Sequence, residues 1–282
     1  MKHFMYPKND LIFKLLFGDM RNLEFLSDFL QATLDLPTEE YESIEILNPY
    51  ELPDIEGGKL SILDVKLRLK SGKVVDIEIQ VSVPVSLSDR VVYYSAKMIS
   101  EQLVVGDQYD QLRKVINILI TDEPLKLNQT GYHNVYHICD PKTGVHFSEL
   151  MEIHTLELPK LPIEDDGTPL WEWMKFLNAN SKEDLKMIAE KNETIKKAVS
   201  ALEKISEDQK ARWEYDNRQK WLWDQKARES EALAKGREEG LAQGAAKERL
   251  RALRNLMEST SMSAEQAMKA LKIPESEMQE FL

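Results

Sequence analysis

The spacing of apolar positions changes several times along the chain, and each change predicts an element. Between residues 10 and 34, Leu11, Leu15, Leu16, Leu23, Leu26 and Leu30 recur at helical intervals. Gly18-Asp19 divides this stretch into two helices, and Pro37 closes it. Ser43 to Leu47 reads as a short strand stopped by Asn48-Pro49, and Pro53, Gly57 and Gly58 make residues 50–59 a loop. Residues 61–70 and 73–81 then alternate with a period of two about Ser71-Gly72, the pattern of a β-hairpin. Leu63, Val65, Leu67 and Leu69 share one face of the first strand, opposite Asp64, Lys66, Arg68 and Lys70. In the second strand Val75, Ile77, Ile79 and Val81 lie opposite Val74, Asp76, Glu78 and Gln80. Matching like faces requires an odd loop, because a slip of one residue turns every side chain over. A Lys70-Ser71-Gly72 loop puts glycine where a left-handed residue is needed and sets Asp64 across from Glu78. A 71–73 loop sets Asp64 across from Gln80 instead, and either register clusters the three polar groups.

After Pro84, Ser88-Asp89 starts a helix running to about Val105, where Gly106-Asp107 stops it. Residues 114–121 read as a buried strand, and two more strands fall near 132–139 and 149–158, joined across Asp140 to Gly144. Pro159, Pro162 and Asp165 to Gly167 end the sheet region, and the chain is helical and highly charged from Thr168. These changes divide it into a core at 1–165, a helical extension at 166–235 and a glycine-spaced segment with a short helical tail at 236–282. Gly236, Gly240 and Gly244 fit either a soft linker or a stripe for close helix approach. The tail from about 245 suggests three short helices, with capping-box spacing at Ser263 to Gln266 and Pro274 in a first turn.

Composition narrows the class of protein. The 282 residues are 42% apolar, which excludes global disorder. No run reaches the roughly 18–20 apolar residues of a membrane span, and the first residues lack the apolar stretch of a secretory signal. The single cysteine, Cys139, makes no internal disulfide and reads as a small strand residue, consistent with a cytoplasmic location. The net charge of −12 argues against nucleic acid as a partner. Locally, however, residues 59–73 carry Lys59, Lys66, Arg68, Lys70 and Lys73 against Asp64 alone.

Asp64, Glu78 and Gln80 are the candidate chemistry. Phosphodiester hydrolysis needs an activated water and relief of charge on the phosphoryl oxygens, and a divalent ion supplies both. Mg2+ binds through one or two carboxylates plus waters, which a pair across a hairpin provides. Lys66 and Arg68 share the face of Asp64 and are candidates for neighbouring phosphates. The ordinary alternative is a half-solvated strand pair whose polar face meets only water. His133 and His137 lie four apart in a strand, with no cysteine cluster or His-Glu-x-x-His motif to suggest zinc. Trp213, Tyr215, Trp221 and Trp223, interleaved with Arg212, Arg218 and Lys220, suit either packing against the core or stacking on bases.

Several motifs in order add a family resemblance. They are Pro7-Lys-Asn-Asp10 with Phe13-Lys14 and Phe17-Gly18, then Ile44-Glu-Ile-Leu-Asn-Pro49, Ser61-Ile-Leu-Asp64-Val-Lys66 and Val75-Asp-Ile-Glu78-Ile-Gln80. Asp89-Arg90 with Tyr93-Tyr94-Ser95, Gln102 with Gly106-Asp107, and Glu152 to Leu158 follow. Together with the glycine-every-four tract, the set resembles the Rpn family of recombination-promoting nucleases, also described as transposases, in the PD-(D/E)XK nuclease superfamily. The resemblance implies an α/β fold: a restriction-endonuclease-like core, a mixed sheet flanked by helices, with a helical C-terminal extension. It implies a metal-dependent DNA endonuclease acting in recombination, mobile-element movement or defence. Asp64 and Glu78 would hold Mg2+, or Mn2+ or Ca2+ in its place, with Gln80 standing where the wider superfamily has a water-orienting lysine. Asp10 is a further acidic group near the metal or a helix cap, Lys66 partly compensates for the missing lysine, and Arg90, like Arg68, is a DNA contact or a surface ion pair. The expected partner is DNA, with a homodimer through the C-terminal helices, no membrane and no small-molecule cofactor. The alternative is a nuclease fold kept as a binding and assembly module that works through its tail.

Overall fold

The computed structural model describes residues 4–47, 50–51, 61–62, 64–127 and 129–272. Of the loop anticipated at 50–59, residues 50–51 form a strand; the rest of it, with Lys59, and the helix at Pro274 lie outside the described residues. The first helices, α1 (Asp10–Phe17) and α2 (Leu23–Thr33), start at Asn9 and after the Gly18-Asp19 break. Asn9 caps α1 by accepting hydrogen bonds from the backbone N–H of Leu11 at 3.1 Å and of Ile12 at 3.3 Å. The strands β1 (Glu45–Ile46), β2 (Tyr50–Glu51), β3 (Ser61–Ile62), β4 (Val65–Arg68) and β5 (Val74–Gln80) follow. Helix α3 (Leu87–Ser100) then crosses to β6 (Val115–Thr121), and β7 (His133–Cys139) and β8 (His146–Glu157) complete the sheet. The strand order is β1-β4-β5-β6-β8-β7, with β5, β6 and β8 parallel and the other neighbours antiparallel, so the sheet is mixed.

The hairpin takes the three-residue loop. Leu69 N–H donates to the Lys73 carbonyl at 2.9 Å, Gly72 has φ +89°, and Val65 pairs with Ile77. One feature differs from the pattern: the strand expected over 61–70 breaks near Asp64, which sits in a bend between β3 and β4. The N–H of Ile79, next in line for a ladder bond, instead donates to Oδ2 of Asp64 at 2.9 Å. A side chain thus replaces a backbone acceptor at the position where the strand turns away.

Both faces of β5 are covered. Val65, Leu67, Val75 and Ile77 join Phe13, Phe17, Phe29 and Trp173 in the main core under α1 and α2. Three further helices, α4 (Pro169–Leu177), α5 (Lys182–Ala189) and α6 (Glu193–Glu207), belong to this core too. On the other face, α3 packs Met98 on Val74 and Val115, and Leu87 and Val91 on Leu119. The polar face is therefore not a half-solvated one, because a parallel β5–β6 pair requires a crossover and the crossover helix covers it.

The chain divides into two compact units, residues 1–216 and 217–282. The boundaries read from the sequence at 165 and 235 fall elsewhere, since α4 to α6 complete the core of the first unit. Helix α7 (Gln209–Thr260) is a single 52-residue helix containing all three spaced glycines, and α8 (Ala264–Ala270) follows with the expected Ser263–Gln266 capping box. A Cβ added at Gly236, Gly240 or Gly244 meets nothing within 4 Å, so the stripe is neither a linker nor a site of close helix approach among the described residues. Tyr215 is buried in the core and its hydroxyl accepts from Tyr6 N–H at 3.3 Å, whereas Trp213, Trp221 and Trp223 are exposed. Among the described residues, no helix is long and apolar enough to cross a membrane.

Candidate functional site

The site is built at the end of the hairpin farthest from its turn. Continuing the observed register one step beyond Val65–Ile77 brings Asp64, in its bend, level with Glu78, whose side chain lies on the face beneath α3. Glu78 is 6% exposed and the Asp64 side chain 11%, so neither carboxylate is surface decoration. Gln80 is half-buried two positions along, with its Nε2 donating to Oε2 of Glu78 at 3.4 Å. Asp64, Glu78 and Gln80 are thus brought together.

Two cations face these carboxylates from different helices. Lys14 Nζ on α1 lies 3.1 Å from Oδ1 of Asp64. Arg90, in the first turns of α3, donates from Nη2 to Oε2 of Glu78 at 2.6 Å, while its Nε is sealed from solvent without a hydrogen-bond partner. Burial pushes the Asp64 carboxyl up to about 6, against the lowering effect of Lys14 and the Ile79 N–H, and the charge of Glu78 pushes the same way as burial. Lys14 is the residue that sequence reasoning passed over. Its signal was present: it lies four residues after Asp10, so both occupy one face of α1.

The other predicted residues divide. Asp10 does not supply the helix cap, which is Asn9; its Oδ1 accepts from Leu11 N–H at 3.0 Å on the side of α1 that carries Lys14. Lys66 points to Glu101, 3.7 Å away at the end of α3, and with Arg68 and Arg113 lines a separate depression. Arg68 pairs with Glu45 at 2.8 Å, about 13 Å along the strand from Asp64 at the usual rise per residue. Lys70 pairs with Glu42 at 2.5 Å, and Lys73 with Glu40. Among the described residues the basic strip is consequently a row of ion pairs, with acidic partners some 23 to 35 residues away in the chain.

A mixed sheet with an acidic pair at the bend of its hairpin, covered by a crossover helix, defines a nuclease-type core. The chain belongs to the PD-(D/E)XK nuclease family transposases, whose family model matches residues 7–232. No curated protein and no solved structure matches it.

Proposed function

We propose that the protein is a divalent-metal-dependent DNA endonuclease. The observation that carries this reading is the convergence of Asp64 and Glu78, from separate strands, in a site of low exposure with Gln80 beside them. Two carboxylates and room for water are the donor set that Mg2+ prefers, and Mn2+ accepts the same oxygens. When bound, such an ion supplies Lewis acidity toward a phosphoryl oxygen and a more acidic water.

The chain's own groups do the rest. Asp64 and Glu78 hold the ion. Gln80, uncharged, orients the attacking water through its amide. Lys14 stands as the positive charge that the Glu-x-Gln sequence lacks, brought in from α1 instead of from β5. Arg90 meets a phosphate oxygen through its guanidinium once its hold on Glu78 loosens, a role supported by its ion pair at the site. Cuts of this kind would serve recombination, mobile-element movement or defence within the cytoplasm.

A second reading draws on the same ion pairs. Lys14 and Arg90 already compensate both carboxylates, which suits a nuclease fold retained for binding. Plasmid nicking with Mg2+ or Mn2+ separates the two. The endonuclease reading expects nicking by the purified protein and none by Asp64→Ala; equal background from both proteins would sink it.

A further inference from the structure

The β7–β8 edge of the sheet carries a second cluster of ligating side chains, on the other face. Glu78 aligns with Leu119 of β6, and Leu119 with Thr155 of β8, so Thr155 shares the α3 face. Glu152 and His154 alternate with it and face the opposite side, as do their pairing partners His137 and Val135 on β7. Four of the five histidines gather along this edge. His133 Nε2 lies 2.9 Å from His154 Nδ1, His154 Nε2 lies 2.9 Å from Glu152 Oε1, and the His137 and His146 rings stack at 4.4 Å.

We infer that His137, His146 and Glu149 form a transition-metal site that takes a borderline ion such as Zn2+. Ligand atoms of the three side chains all lie within 4.8 Å of one another. A bulge gathers them. His137 pairs with Glu152 but Ile138 pairs with Ser148, so β8 has extra residues where β7 has none, and His146 and Glu149 are brought round to His137. Two imidazoles and one carboxylate are a three-ligand zinc set, with the fourth position open.

A second observation points to a missing ligand. Among the described residues His137 Nδ1 is sealed from solvent without a hydrogen-bond partner, with Oε2 of Glu152 3.7 Å away. Buried polar atoms are seldom left so. Charge agrees with the assignment. Lys114 Nζ reaches Glu152 at 2.9 Å and Glu149 at 3.3 Å, so one ammonium faces two carboxylates and the cluster keeps an acidic excess. Glu149 meets His146 Nδ1 through Oε1 at 2.5 Å and Lys114 through Oε2, so its two oxygens already serve separate partners. The bound ion would fasten the edge strand β7 to β8 across the bulge.

The test is zinc titration by calorimetry of full-length Asp64→Asn protein, in which the oxygen site is weakened. One Zn2+ per chain is expected, with excess Mg2+ failing to displace it and Tm rising with added zinc. His137→Ala and His146→Ala should each weaken binding by about ten- to a hundredfold, judged on proteins whose circular dichroism matches the parent. His146 lies at the exposed end of the cluster and tests the site even if His137→Ala misfolds. Acidification should release the ion, since imidazole ligates only when neutral. Absence of zinc binding, or a stoichiometry and affinity unchanged by both substitutions, overturns the assignment. Plasmid nicking is not a readout here, so neither result bears on the endonuclease reading.

Discussion

Two groups of polar side chains on one sheet compensate their charges differently. At the hairpin bend, Glu78 on the α3 face and Asp64 beside it are oxygen donors, each held by a cation from a separate helix. On the opposite face at the β7–β8 edge, nitrogen donors predominate, and the carboxylates are held by other groups of the same strands plus Lys114. The electrostatic outcomes diverge accordingly. Asp64 is pushed up to about 6 by burial, whereas the His154 ring beside Glu152 draws that carboxyl down to about 2. Oxygen donors suit a hard ion that keeps its waters, and imidazoles suit a softer one. The difference shows that one sheet can present an oxygen donor set and a nitrogen-rich donor set that share no residue.

The largest effect should come from Asp64→Ala. It is expected to bring Mg2+-dependent nicking to background, while zinc binding at the histidine edge persists; loss of both activities together would dissolve the distinction between the regions. Lys14→Met comes next. Removal of a cation that acts through a ligand typically costs about 10- to 100-fold. The loss should fall on kcat more than on KM, with Lys14→Arg recovering part of it, and an unchanged kcat would show the ion pair to be structural only.

The pH dependence of stability is a smaller, signed test. The Asp64 carboxyl is raised in the fold, so its contribution is fully present below about pH 4 and lost as pH rises through about 6. That loss is roughly 2–3 kcal/mol. His133 has the reverse sign: burial lowers it to about 4, so its contribution is present above pH 6.5 and lost as pH falls toward 4. Denaturant unfolding of metal-free protein from pH 4 to 7 should therefore show wild type losing stability relative to Asp64→Asn as pH rises, the opposing His133 contribution being common to both proteins. An identical slope in wild type and variant would contradict the buried position of Asp64. Last, Gly240→Ala lies outside both regions and fills open space on α7, so it should stabilise that helix by about 1 kcal/mol. Thermal unfolding followed at 222 nm checks this, and a destabilisation would reveal a contact at that position.

The legible part of the site was local. Alternation across residues 61–81 and a glycine at 72 were enough to cluster Asp64 with Glu78 and Gln80, because period and turn chemistry act within a few residues, and the observed turn chose between the two registers. Lys14 was legible only as a motif residue, and its meeting with Asp64 needs α1 to pack on the sheet. The histidines show the limit more sharply. His133 and His137 look like a pair from their spacing, yet His133 goes to His154 and His137 to His146. A bulge decides that, and neither strand's alternation reveals it.

The sequence by itself determined the order of the main helices and strands, a hairpin parity that left two registers, the capping box at Ser263, and a motif order pointing to a nuclease family. These depend on side-chain period, capping groups and backbone freedom, all read over short windows. Tertiary structure decided which charges are free. It turned the basic strip of residues 66–73 into ion pairs with Glu101, Glu45, Glu42 and Glu40, and it buried Glu78 beneath α3 and Asp64 against Lys14 of α1. The physical reason is that charge compensation and desolvation are set by distance in space, and the partners here come from other elements of the sheet and its helices.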